Sequence, residues 1–323
     1  YGCRPCHEQK YLELKESRHG KARGPGVIGQ YAHLTREATN GCDQCHGPYT
    51  VGQVRFGSKH DGLSCQGCHV ADGYLIGPHG KEHPPDPRWA GVRAESRMAR
   101  GDFCLPCHSL PLSVAVNGRP LLDTWREWAA SSYFAQGTQC QDCHMRDGFH
   151  GFPGAHNHTQ VRDAIEVRIG DASVNGGKVD VEFEIINRGA GHHFPTTATP
   201  AAVVILDQVG REGALSHTSK AWVIARTVRH EDGAWHELSD TRIPAGSSFV
   251  GTYAAARDPR AEGVELRLWF FPDWHYAGLF QRLLDGRPDK RSPLLRNAQA
   301  EAETSGFIVT QIRRPLKAGR VSH

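Results

Sequence analysis

Long apolar runs are what this chain lacks first. No stretch approaches the ~18 apolar residues that a membrane-spanning helix requires, so no transmembrane segment is expected. Apolar residues are sparse throughout: the hydrophobic fraction is 38% and the mean hydropathy −0.52 over 323 residues. That length allows two domains, but so few apolar side chains leave little for two cores. An excess of one charge is missing too. The 38 Lys and Arg against 35 Asp and Glu give a formal charge of +3, and no nucleic-acid partner is expected from so even a balance. Cysteine is absent after residue 143. No secretory signal is visible, and the first cysteine is already residue 3, so the numbering is expected to begin at or near a processed terminus.

What the chain does have is one pattern, five times. All ten cysteines fall in copies of Cys-x-x-Cys-His: Cys3/Cys6/His7, Cys42/Cys45/His46, Cys65/Cys68/His69, Cys104/Cys107/His108 and Cys140/Cys143/His144. Two thiols at this spacing can each form a thioether to one vinyl group of a haem, and the adjacent His can then give the iron its proximal imidazole. Structural zinc uses paired Cys-x-x-Cys units without an obligatory following His, and five single units do not pair. A disulfide framework does not explain a His after every second Cys. The reading is five covalently attached haem c groups. The ten cysteines are their attachment points, and His7, His46, His69, His108 and His144 are their proximal ligands.

Covalent haem changes the charge of the particle. A bis-imidazole ferric haem with both propionates ionised carries about −1 and its ferrous form about −2, which puts the loaded protein near about −2 oxidised and about −7 reduced. Thioether attachment and ten cysteines outside disulfides imply export, to the periplasm, the cell surface or the extracellular space.

The five motifs occupy residues 1–150, thirty residues for each. That is too little chain for an ordinary core, so the haems are expected to stack closely and serve as the core. The fold expected for residues 1–160 is a multihaem cytochrome c domain, mostly loop with short α-helices. Two helices are readable: 8–20, closed by Gly20, and 121–137, opened by a Thr124-x-x-Glu127 capping box, with Trp125 and Trp128 on its inner face. Residues 161–323 change character. Apolar alternation over 178–187, 201–209, 221–228, 248–256, 263–271 and 306–312 reads as strands, with one helix at 274–286, and predicts an all-β sandwich of the Ig-like kind.

Fifteen histidines remain after the five proximal ones. A second axial imidazole makes a haem six-coordinate and suited to electron transfer, whereas an open face can bind substrate. His19, His60, His79, His83 and His150 are the leading candidates for distal ligands in the first half, with His33, His156 and His158 behind them. His60 precedes Cys65 by five residues and can serve a neighbouring haem but not its own. In the second half His192, in GAGHHFPTT (189–197), is the candidate. Met98 is a further conceivable axial ligand, weighed against a core or surface role.

The stretches SRHG (17–20), HDGLSCQGCH (60–69), DFCLPCH (102–108), DTWREWAASSYFAQGTQCQDCHM (123–145) and HGFPG (150–154) resemble the multihaem cytochrome c superfamily of hydroxylamine oxidoreductase and pentahaem nitrite reductase. Within it the chain is most similar to small electron-transfer members. GHHFPTT (191–197) and DTRIPAGSSF (240–249) resemble a β-module fused to such cytochromes. The resemblance implies an electron carrier rather than an enzyme. Pentahaem nitrite reductases carry Lys in place of the proximal His at the catalytic haem, and here all five motifs end in His. The partners implied are redox proteins or an extracellular electron acceptor. The two other readings are an oxidoreductase of a small nitrogen or sulfur compound with one open haem, and a subunit of an extracellular cytochrome filament or complex.

Overall fold

Alternation of side chains is what the second half of the chain uses to fold. In the Lys178–Asn187 strand, Val179, Val181, Phe183 and Ile185 all turn inward and are at most 3% exposed. They meet Val204 and Leu206 of Ala201–Gly210 and Val264, Leu266, Leu268 and Phe270 of Gly263–Phe271 in one apolar cluster. A computed structural model describes residues 2–47, 50–51, 54–55, 62–80, 87–286 and 292–318.

The chain divides into two compact units that are interleaved in sequence. One comprises residues 1–110, 135–154 and 276–301, and the other 111–134, 155–275 and 302–323. A single cut near residue 160 does not describe this division.

The second unit is built on one nine-stranded sheet. Its order is Gly213–Ala214, Ala201–Gly210, Gly263–Phe271, Phe307–Ala318, Ala172–Asn175, Lys178–Asn187 and Ser248–Ala256. Lys220–Ile224 adds to Ala201–Gly210, and Ile165–Ile169 adds to Lys178–Asn187. All pairings are antiparallel except the parallel join of Leu316–Ala318 to Ala172–Val174. The strand-rich expectation holds for these nine strands, but the hairpins Ala115–Val116/Arg119–Pro120 and Arg226–Glu231/Ala234–Asp240 lie outside their sheet, and the helices Thr124–Ala129, Ser132–Ala135 and His158–Ala164 make the unit mixed rather than all-β. At the Phe183↔Gly251 pair the ring lies over the glycine, and a Cβ there would come within 2.2 Å of it. Only glycine allows that approach. Residues 111–134 join this unit through Arg226, which is wholly buried. Its guanidinium donates to the carbonyls of Val116 (3.0 Å) and Arg119 (2.9 Å) and to Glu237 (2.7 Å).

Several boundaries differ from expectation for identifiable reasons. The first helix is Glu8–Glu16 and stops at an extended Ser17. The Ser17 hydroxyl donates to Leu14 O (2.6 Å) and accepts from Gly20 N (3.1 Å), which offers the chain a turn in place of a further helical one. The second expected helix is two, Thr124–Ala129 and Ser132–Ala135, and no capping box forms. Thr124 Oγ1 bonds Thr196 Oγ1 (2.8 Å), and Glu127 accepts from Arg242 Nη1 (2.6 Å) and Thr196 Oγ1 (2.8 Å). Tertiary partners have taken both capping groups. The 221–228 run breaks at the buried Ala225 into Lys220–Ile224 and Arg226–Glu231, and the latter forms a hairpin with Ala234–Asp240.

In the first unit the elements are short: Glu8–Glu16, Pro25–Gln30, Arg36–His46, single helical turns at the later motifs, and the helices Trp274–Asp285 and Ser292–Thr304. Among its described residues the buried apolar side chains are Ile76, Phe280, Leu295 and Ala298. Phe280 and Ala298 cover Gly26, and Leu295 covers Gly29.

Candidate haem-attachment sites

Each motif sits on one turn of helix. Cys65–His69, Leu105–His108 and Cys140–His144 are helical turns, and Cys42, Cys45 and His46 close the Arg36–His46 helix. In the first motif the N–H groups of Cys6 and His7 both bond Cys3 O, at 3.3 and 2.9 Å. Helical spacing puts residues three and four apart on one face. Both thiols and the imidazole of each motif therefore face the same side, as one haem edge and its iron require. The turns are held at their starts. Thr35 Oγ1 accepts from Ala38 N (3.2 Å), and Gln139 N donates to Asp142 Oδ2 (2.7 Å) within a full capping box.

All ten cysteines are outside disulfides. They differ in what surrounds them. Cys143 holds its expected place in the Cys140–His144 turn and is half-buried there. Close packing of the attachment points does not extend to it: among the described residues, Cys143 bonds no thiol of another motif, and it is Cys140, one turn earlier, that meets Cys104.

Three motif histidines have their tautomer fixed. His46 Nδ1 lies 2.8 Å from Ala22 O, His69 Nδ1 3.1 Å from Ile76 O, and His144 Nδ1 2.6 Å from Pro153 O. A carbonyl can only accept, so Nδ1 carries the proton and Nε2 carries the lone pair. That is the arrangement metal-bound imidazoles use. Burial lowers the pKa of His69 and, with His108, His144 and His46 nearby, that of His19 to about 4. Both are neutral at pH 7, the form that binds iron.

The candidate distal histidines separate into groups. His19 and His150 lie beside motif histidines: the His19 ring centre is 5.9 Å from that of His108, and His150 is 6.2 Å from His69 with rings 27° apart. His150 is anchored by its backbone N–H to Glu13 Oε2 (2.9 Å), and its Nδ1 donates to Gly148 O (2.7 Å), which leaves the lone pair on Nε2. His79 is exposed in a turn, and among the described residues it makes no hydrogen bond, ion pair or ring contact. His60 and His83 lie outside the described residues. His192 lies in the β-unit with Nδ1 2.9 Å from His193 O. His156 pairs with Asp273 (2.8 Å), and His158 stacks on Phe307 at 3.8 Å, which are packing roles within the β-unit. Met98 is half-buried in a 3-10 turn. Trp128 is buried against Phe134 in the β-unit.

Sequence reasoning passed over two contributions. The carbonyls that orient His46, His69 and His144 are backbone groups and carry no residue signature. Phe152 places its ring 4.3 Å from His19 and 6.0 Å from His150, with φ at +46°. A left-handed aromatic residue is an outlier of the sort that clusters at functional sites.

Haem fits this unit by two tests. The donor geometry is right, and the bulk is missing: over 110 consecutive residues, Ile76 is the one buried apolar side chain among those described. Such a unit needs apolar mass from elsewhere, and porphyrin rings are the kind its cysteines can hold.

No family model matches the sequence, and no curated protein does. Among solved structures the chain is similar to the crystal structure of a penta-heme cytochrome c552 from Thermochromatium tepidum. The identity is 17%, the TM-score 0.66, and the alignment covers 97% of each chain. The two chains share a fold.

Proposed function

We propose that this protein is an exported pentahaem c-type cytochrome that carries electrons through closely packed haems, several of them ligated by two histidines. The observation that carries the reading is the spacing of the imidazole pairs. A metal–imidazole bond is about 2 Å and the ring centre lies roughly one ångström behind the nitrogen, so two imidazoles on opposite faces of one iron have centres roughly 6 Å apart. The pairs His19/His108 and His69/His150, at 5.9 and 6.2 Å, match that span.

In this reading each Cys pair fixes a porphyrin edge and the following His holds the iron. His19 is the second ligand at the iron of His108, and His150 at that of His69. When bound, the haem supplies a one-electron Fe(III)/Fe(II) couple. The chain's own groups set its potential through axial ligands, burial and hydrogen bonds. The fold shared with a protein titled as a penta-heme cytochrome supports the count of five. The partners are a one-electron donor and a one-electron acceptor, either proteins or an extracellular acceptor.

Low-temperature EPR on the oxidised holoprotein, with haem counted by pyridine haemochrome, tests this. Five haems per chain with low-spin signals at the two assigned sites are expected, and His150→Ala should convert about one haem equivalent to high spin. A wild-type high-spin signal that shifts on adding nitrite or hydroxylamine would turn the reading into that of an enzyme with an open haem.

A further inference from the structure

The motifs meet in an order that is not their order in sequence. The third motif is joined by backbone to the segment carrying His19, which stands beside His108 of the fourth: Gly62 N donates to Gly20 O (2.9 Å) and Leu63 N to His19 O (2.8 Å), while the Cys65 thiol bonds Cys3 of the first. A Cβ on Gly62 would strike His19 O at 2.3 Å, so this junction requires glycine. The second and fourth are joined where Arg36–His46 packs on Leu105–His108, with Cys45 Sγ 3.9 Å from Pro106 O and its thiol bonded to Cys107. The fourth and fifth are joined by Gln141, whose amide donates to Met98 O and Arg100 O (both 2.9 Å), and by the Cys104–Cys140 thiol pair. The third and fourth meet again at Phe152, whose ring lies 4.3 Å from His19, beside His108, and 6.0 Å from His150, beside His69.

His19, beside His108, also neighbours His144 and His46, while His69 neighbours His150 and His7. Motifs one and three form one set, motifs two, four and five the other, and the fourth motif touches both.

We infer that the haem attached at Cys104 and Cys107 is the branch point of a three-armed electron path, an inference that rests on the pentahaem reading. One arm runs through the Cys65/Cys68 haem to the Cys3/Cys6 haem. The other two end at the Cys42/Cys45 and Cys140/Cys143 haems. Each thioether sulfur would stand one carbon from its macrocycle, so motifs whose turns and ligands pack together would hold their macrocycles close. Electron tunnelling falls exponentially with edge separation, and exchange would therefore follow the contacts between motifs. Each step moves one electron from a ferrous to a ferric haem, oxidising the first and reducing the second, with no proton and no bond to carbon involved. A path with three ends takes electrons at two faces and delivers them at a third, which a linear wire cannot do.

The test is EPR during a reductive titration of the His108→Met holoprotein. The substitution keeps both thioethers and gives that iron a sulfur ligand, which raises its potential so that it reduces first. Once it is ferrous and diamagnetic, its ferric neighbours lose magnetic coupling to it. Three of the four remaining low-spin signals should change and the Cys3/Cys6 signal should not. Two changed signals, as a path in sequence order requires, or any count other than three, overturns the branch. Should the variant fail to mature, exchange spectroscopy by NMR on the partly reduced wild-type protein reads the same map: one haem in direct exchange with three others is expected, and a map with no such haem overturns the branch. Fewer than five haems by haemochrome overturns the pentahaem reading and the branch with it.

Discussion

The two units solve the problem of staying folded in different ways. In the β-unit, Val179, Ile185, Leu206, Val264, Leu266 and Leu268 are wholly withdrawn from water, and the sheet folds around them. In the motif-bearing unit, Leu12, Leu34 and Phe149 remain 39–46% exposed and the cysteines are only partly covered. Hydrophobic burial is the main favourable term in folding, so a unit without it must obtain the same term from a bound group. The comparison sets a unit that buries its own apolar side chains beside one whose described residues bury almost none.

The largest expected effect breaks the comparison at its root. Expressed where haem is not attached, the chain should keep protected amides in the β-unit and lose them across residues 2–110, as read by hydrogen exchange. Protection in the haem-free first unit would refute the dependence. Next in size is Arg242→Ala in the β-unit. It strands Glu127 and Asp240, whose side chains are 5% and 9% exposed, and should cost about 3–5 kcal/mol in urea unfolding. Burial pushes the Asp240 carboxyl up, but the hydrogen bond and charge of Arg242 reverse that and leave it below its ordinary value. Its stabilisation is present above the normal carboxylate range and is lost as pH falls below it, so the variant should also show a flatter acid limb. Leu266→Ala should cost about 2–5 kcal/mol, against less than about 0.5 for Leu12→Ala on the exposed helix of the other unit. Gly251→Ala, which drives a methyl into Phe183, should cost about 1–3 kcal/mol. Arg168→Ala, which breaks surface pairs with Glu166 and Glu184, should stay within about 1 kcal/mol.

The β-unit was largely legible because period-two alternation is a local signal. The strands at Lys178–Asn187, Ser248–Ala256 and Gly263–Phe271 coincide with their apolar runs. The Ser292–Thr304 helix was not, since its buried face is Leu295, Ala298 and Ala302, and two alanines carry little apolar pattern. The attachment motifs were legible as chemistry. Which motif meets which was not, because Cys45 and Cys107, or Cys3 and Cys65, are brought together by tertiary packing that leaves no mark on their spacing. Nor does the spacing tell Cys140, which meets Cys104, from Cys143, which meets no other motif's thiol among the described residues. Of the distal candidates, His19 and His150 had a local context in the sequence, and their rings lie beside those of His108 and His69. His156 and His158 look the same in sequence, yet Asp273 and Phe307 occupy them.

The interleaving of the units sets a timetable for the cell. The motif-bearing unit draws its Phe280, Leu295 and Ala298 cluster from residues 276–301, well beyond the last motif. Synthesis must pass all five attachment sites, and most of the β-unit, before that cluster exists to close over Gly26 and Gly29. The helix Ser292–Thr304 is therefore a late piece of a unit whose first helices, Glu8–Glu16 and Pro25–Gln30, are made long before it.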